Sequence, residues 1–394
     1  TKLGLSGIIT LTDYVSAKDA LTIQLGSDFS YSDIEEQVLI SDKTVFNGSN
    51  YVDTGVTLLS EDRDFVLAID CKMDSGNSNN AVLAQCFSGL DTSGFKLIYN
   101  SGIKLLWGSS SATPFSVGNR EMIVLRHIKG ENGVYVYSSN TTGDSSYYVE
   151  LSGLHSMIHN VSLVFGCSKL EDGSYENYGL GTVYWSKVWY ADLGDAVCKK
   201  IAYWPHENIS FEACCESNGS MKRYYLSDNS GARSSIAFIS SHTLAHPVVM
   251  SNTSTNAGGW ASFALNSYLN SRVYEAFPDS WKQLMKQVKV KSSIGEKSLT
   301  VSSSDCYIFV PSISELVPSM TSEPYGSEGT IISHFTSNEA RICYNPEGTA
   351  VQYWTRSPSI DWNNYVFRIL TTGSYQAVTQ LSAADVYPRI MINI

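Results

Sequence analysis

The sequence predicts a multidomain chain of mixed class: an all-β sandwich or barrel followed by an α+β domain. Three observations carry this. The 394 residues exceed what one ordinary hydrophobic core organises. From about residue 41 to 190, short segments alternate apolar and polar positions with a period of two, separated by turn-rich stretches. Beyond about residue 210 the spacing becomes helical, interleaved with short strands and long irregular loops.

In chain order, residues 1–40 are weakly patterned and read as a small N-terminal attachment segment. "LGLSGIITL" at 3–11 is short and is followed by Thr12 and Asp13, so it does not read as a signal peptide. The β region, 41–210, begins in earnest with "DFVLAIDCKM". This places Phe65, Leu67, Ile69, Cys71 and Met73 on one face and Asp64, Asp70 and Lys72 on the other, as in a half-buried strand. "GFKLIYN", "EMIVLRHI", "GVYVYSS" and "VSLVFGCS" repeat that alternation, and "DSGNSNN", "GENG" and "EDGSYENYG" punctuate it. Leu193, Val197, Ile201 and Trp204 then recur at helical spacing and predict a short helix that closes the domain. In 211–394, Leu265, Tyr268, Leu269 and Val273 form one stripe of a first helix. Pro278 and Asp279 suit the start of a second, running to about Val288 and burying Trp281, Leu284, Met285 and Val288. Strands are expected in "CYIFVP", "YVFRIL" and "RIMINI". No region repeats at a fixed period, which excludes solenoids and propellers.

Composition narrows the function. Hydrophobic residues make up 43% and charged residues 16%, and 27 basic against 38 acidic side chains give a net charge of −11. A nucleic-acid binder needs a basic footprint, and this chain has none. No run approaches the ~18 apolar residues of a membrane span. The 24 Tyr and 8 Trp suit half-buried positions that must still hydrogen-bond, as in recognition surfaces. The eight cysteines show no CxxC spacing and read as buried free thiols of a chain made in a reducing cytoplasm. A retaining glycosidase needs two carboxyls ~5 Å apart. The nearest set, Asp64, Asp70 and Asp74, lacks the spacing and the glutamate, and reads as solvated strand-edge acids. His155 and His159 have i, i+4 spacing, but no glutamate follows the first, so no zinc site is expected. His206 with Glu207 reads as a pin at the domain junction. No Gly-x-Ser-x-Gly elbow, phosphate loop or dinucleotide fingerprint occurs. The expectation is a non-enzymatic protein that needs no cofactor.

"FNGSNYVDTG" at 46–55 with "GLGTVYWSKVWYADLGD" at 179–195 resembles the concanavalin A-like, or laminin-G-like, jelly roll of many phage and prophage structural proteins. Such jelly rolls can hold calcium at a rim, and "EDGSYEN" carries suitable oxygens. "NAGGWASFALNSYLNSRVYEAF", "CYIFVPSISEL" and "YWTRSPS" resemble, in that order, a domain of uncharacterised function common in Firmicutes and their phages. The implied fold is of the C-type-lectin type, shared with variable proteins of diversity-generating retroelements, with ligand-binding residues near the C-terminus. Asp385 stands where that family's ending has glycine.

The resemblance makes Tyr353, Trp354 and Arg356 scaffold, with Trp354 in the core and Arg356 bonded to backbone carbonyls or an acid. The segment beyond them mixes rings with amides and hydroxyls. Asp361, Trp362, Asn363, Asn364, Tyr365, Ser374, Tyr375 and Gln376 are the expected ligand contacts, since rings give area with few rotors and amides give adaptable hydrogen bonds. The competing reading buries Trp362 and Tyr365 on the inner face of a strand. The resulting expectation is a phage virion protein, of tail or head fibre, that binds a host surface glycan or protein through 211–394. The jelly roll would serve as a spacer or a second glycan contact. Residues 1–40 would meet other virion proteins, and homo-oligomers would multiply weak contacts. The rivals are a bacterial surface adhesin, a glycan-cleaving enzyme and a purely structural capsid or tail component.

Overall fold

The computed structural model describes residues 9–10, 22–25, 34–59, 61–78, 80–88, 93–99, 103–107, 110–115, 120–138, 146–150, 160–170, 172–202, 209–228, 233–277, 279–379 and 386–394. The chain forms two compact units, Phe29–Trp204 and Thr1–Asp28 with Pro205–Ile394. In sequence, the first is an insertion in the second. Strand Thr22–Leu25 pairs antiparallel with Ile209–Ala213, Ile23 opposite Phe211, so the chain leaves and re-enters one sheet around the inserted unit. The divisions therefore differ from those read at 40/41 and 210/211. Residues 36–40 also belong to the inserted unit, pairing with Ser186–Trp189.

The inserted unit is a sandwich of two antiparallel sheets. One runs Ser146–Glu150, Gly133–Ser138, Arg120–His127, Phe65–Met73 and Leu180–Trp189, with Glu36–Ile40 and Thr44–Asn47 sharing the far edge of the last strand. The other runs Ser110–Phe115, Ile103–Trp107, Ser93–Tyr99, Val82–Ser88, Val164–Phe165 and Val52–Asp53. Leu67, Ile69, Ile123 and Leu125 from the first meet Leu83, Phe95, Leu97 and Phe165 from the second, all fully buried. The predicted inward face of Phe65–Met73 is thus correct.

The outer face of that strand is only partly solvated: Asp74 is exposed and Asp64 and Lys72 are half-buried. Val66, Ala68 and Asp70 are buried too. Asp70 accepts from Arg120 Nε at 2.9 Å and Nη2 at 2.5 Å, and the Arg120 guanidinium lies 3.7 Å over the Tyr184 ring. The predicted closing helix is Gly194–Ala202, which buries Cys198 and Ile201 while packing on the same sheet.

In the second unit, one sheet holds Ile9–Thr10, Thr22–Leu25, Ile209–Ala213, Ser234–Ser240, Met391–Asn393 and Ile308–Phe309, with Arg223–Tyr225 beside Ser234–Ser240. A second sheet runs Cys343–Tyr344, Ala350–Pro358, Tyr365–Ile369 and Tyr375–Thr379, with Val386–Tyr387 parallel to Ala350–Pro358. The first predicted helix spans Ala264–Ala276 through a π turn at Leu269–Val273, and buries Leu265, Leu269 and Val273. The second is shorter than predicted, Asp279–Leu284. Val288 instead opens a hairpin strand, Val288–Ser293, because "VKVKSS" alternates with a period of two and Val288 and Val290 point inward. All eight cysteines are unpaired, and all but Cys215 are buried. Among the described residues, no helix is long and apolar enough to cross a membrane.

Candidate binding face

The expected scaffold residues sit in strand Ala350–Pro358 of the second unit's last sheet. Trp354 is fully buried and donates Nε1–H to the Val248 carbonyl at 2.7 Å; buried Tyr353 donates to the Arg341 carbonyl at 3.0 Å. Arg356 is also fully buried. It donates to the carbonyls of Lys291, Val310 and Glu328 at 2.8, 2.9 and 3.0 Å, and to Glu315 Oε2 at 2.7 Å. Arg356 therefore makes both kinds of contact expected of it. Glu315 further accepts from Tyr224, from the Ser312 amide at 2.9 Å, and meets Lys222 at 3.3 Å. Burial works against its charge, but Arg356 and Lys222 more than offset this and hold the carboxyl at about 2. Buried Glu328 accepts from the Ser293 amide at 2.8 Å and from Ser357 Oγ, with less opposing charge, and burial pushes its carboxyl up to about 7.

These two acids set a pH profile. A glutamate held below its usual 4.5 adds stability above that pH, lost as pH falls toward 2. One pushed above 4.5 subtracts stability as pH rises from 4.5 to 7. The joint contribution of these two glutamates is therefore expected to be greatest near pH 4.5–5, with each limb worth on the order of 3 kcal/mol. Midpoints of thermal unfolding between pH 3 and 8 check this: Glu328→Gln should flatten the neutral limb alone.

On this scaffold, strand Tyr365–Ile369 carries the candidate face, pinned at both ends. At one end, buried Asn256 donates Nδ2–H to the carbonyls of Trp362 and Tyr365, both at 2.9 Å, and its amide donates to the Asn363 carbonyl at 2.7 Å. Its Oδ1 accepts from the Glu296 amide at 2.8 Å. Gly295 in the hairpin turn has φ +73°, and a Cβ there would lie 2.0 Å from the Asn256 carbonyl oxygen, so only glycine lets Asn256 approach the hairpin this closely. At the other end, buried Arg341 donates to the Gly373 carbonyl at 2.9 Å.

Between these pins the rings gather. Register places Tyr365, Phe367 and Ile369 on one face, opposite Thr379, Ala377 and Tyr375. Trp362 stacks on Tyr365 with centroids 5.4 Å apart, Tyr375 meets Phe367 edge-on at 6.0 Å, and Tyr325 supports Phe367 from beneath at 5.4 Å. Tyr325 Oη also accepts from the Ile360 amide at 3.0 Å, fixing the loop entry. Trp362 is 56% and Tyr375 41% exposed, so Trp362 does not fill the inner face of a strand, whereas Tyr365 is half-buried.

Of the expected contacts, Asp361, Trp362 and Asn363 are exposed and Asn364 and Tyr365 half-buried at the loop end. Ser374 lies in the opposite turn, its hydroxyl 2.9 Å from that of Thr372. Gln376 is exposed but pairs with Arg368, whose Nη2 donates to it at 3.0 Å, on the other face of the sheet. The structure thus pairs Trp362 with Tyr365 at the loop end and Tyr375 with Phe367 farther along the same face, and sets Gln376 apart from them. Sequence reasoning missed Asn256, Tyr325 and Phe367. The signal for the first was its place just before Gly258-Gly259-Trp260.

Glu171, His155, His159, His206, Glu207, Pro278 and Asp385 lie outside the described residues. Asp172 of the expected calcium loop is exposed and accepts from the Ser174 amide at 2.9 Å. Among the described residues, no three His, Cys, Asp or Glu side chains gather to hold a metal.

Residues 234–394 match a family described as a domain of unknown function (DUF6273). No curated protein matches the chain. Among solved structures it is similar to a mutant of NanB sialidase from Streptococcus pneumoniae, at 10% identity and TM-score 0.33, covering 51% of this chain and 36% of that one. It is also similar to the Ruminococcus gnavus IT-sialidase CBM40 bound to alpha2,3 sialyllactose, at 12% identity and TM-score 0.31, covering 42% and 95%. A third likeness is domain 4 of AbnA, a GH43 extracellular arabinanase from Geobacillus stearothermophilus in complex with arabinotriose, at 11% identity and TM-score 0.30, covering 48% and 91%.

Proposed function

We propose that the C-terminal unit is a non-catalytic recognition module that grips a saccharide on a cell surface across the rings of Trp362, Tyr365 and Tyr375. The observation that carries this reading is an exposed Trp362 stacked on Tyr365, on a loop held rigid from below by buried Asn256. Exposed rings on a mobile loop would lose much of their binding energy to ordering; here the ordering is already built into the fold. A sugar ring lays its apolar face on an aromatic face, and Asp361, Asn363 and Asn364 at the same loop supply acceptors and donors for its hydroxyls. A single face of this size binds weakly, so display in several copies is part of the proposal. Placement on a phage virion, as a fibre or receptor-binding protein, follows from the sequence resemblance and is proposed on that basis.

A glycan array probed with the full chain tests the reading. Trp362→Ala is expected to weaken binding by about 2 kcal/mol, roughly 30-fold, while leaving the unfolding midpoint in place. A midpoint that drops along with the affinity would make the ring structural. Reducing ends released from wall polysaccharide would replace binding with catalysis.

A further inference from the structure

The inserted sandwich carries a second cluster of half-open rings, at the margin of its second sheet. Tyr51 is 40% exposed and stacks on Tyr175, centroids 4.0 Å apart, with Tyr178 tilted against it at 6.4 Å. The three come from the turn before strand Val52–Asp53 and from the hairpin around Ser168–Lys169 and Tyr175–Glu176, where Lys169 and Tyr175 are register partners. Beside the rings, Lys169 Nζ donates to Asp53 Oδ2 at 2.6 Å and to Ser162 Oγ at 3.0 Å, and Tyr175 Oη donates to the same Asp53 oxygen at 3.1 Å. Gln85, buried beneath, donates to the Lys169 carbonyl at 2.9 Å and fixes the hairpin on the sheet.

We propose that this cluster is a second saccharide contact, selective for a neutral sugar. The rings are set before any ligand arrives, because stacking orients Tyr51 and the bond to Asp53 orients Tyr175. Burial opposes the charge of Asp53, but Lys169, Ser162 and the Gly55 amide outweigh it and keep the carboxylate ionised as a permanent acceptor. Asp53 and Lys169 remain 22% and 26% exposed, so each can share a hydrogen bond with a hydroxyl at the ring edge. Charge sets the class. Lys169 is matched by Asp53, and Lys96 on the same sheet, its charged form disfavoured by burial, is favoured back by Glu176. With cation and anion balanced, the cluster offers no excess positive charge to a carboxylated or phosphorylated sugar.

The test is affinity electrophoresis of the full chain through gels containing glucan, mannan, galactan or, as the acidic arm, polygalacturonate. Trp362→Ala is the background, so that the C-terminal face does not mask the result. At least one neutral polymer is expected to retard this variant. Adding Tyr51→Ala should weaken that retardation about tenfold, while Tyr51→Phe leaves it near the starting value. The proposal is overturned if no neutral polymer retards the Trp362→Ala chain, if Tyr51→Ala changes nothing, or if only polygalacturonate is bound. A failure here leaves the C-terminal reading standing, since Trp362 is already absent from the comparison.

Discussion

Replacing Arg356 with alanine is expected to cost the unit that contains it about 4 kcal/mol, the largest effect of any single change considered. The guanidinium is fully buried and joins three carbonyls from separate segments to Glu315. Its removal leaves buried Glu315 with Lys222 as its one remaining cation among the described residues and leaves carbonyls without their donor, each of which carries its own desolvation penalty. Arg356→Lys should recover only part of the loss, because an ammonium cannot span the fork of contacts. Against a total stability of about 5–15 kcal/mol, such a loss removes roughly a quarter to four-fifths of the total. Denaturant titration measures it; a loss under about 1 kcal/mol would show that the network is ornamental to stability.

The second large effect is expected in the sandwich. Asp70→Ala leaves Arg120 in a buried site without its bidentate partner and should cost about 3 kcal/mol. The double replacement Asp70→Leu with Arg120→Met should be far milder, within about 1 kcal/mol of the parent, because no uncompensated charge remains. The contrast is the informative quantity. If the double variant is as unstable as Asp70→Ala, shape complementarity around Tyr184, rather than charge pairing, governs that face.

What the sequence disclosed follows from the range of the forces involved. Alternation along Phe65–Met73 and the stripe of Leu265, Leu269 and Val273 are local periodicities, and both appear as strand and helix. The second face of Phe65–Met73 was misread because its cover comes from Arg120 and from helix Gly194–Ala202, far along the chain. The helix expected to reach Val288 stops at Leu284, where a two-residue period takes over from a helical one. The rings of the C-terminal segment could be singled out by composition, and two of them, Trp362 and Tyr375, are open to solvent. The residue that holds their loop was not visible, because Asn256 acts through carbonyls more than a hundred positions away. The Tyr51–Tyr175 pair was hidden for the same reason.

We propose that the rings of residues 362–375 form an open, pre-set face that binds a cell-surface saccharide. Oxidative footprinting of Trp362 and Tyr375, in the free chain and with purified wall glycan from bacterial cells that retain the protein, tests it most directly. The expected result is strong labelling of both rings in the free chain at every concentration and protection of both when glycan is present. Rings already shielded in the free chain, or labelled equally with and without glycan on cells that demonstrably bind the protein, would contradict it.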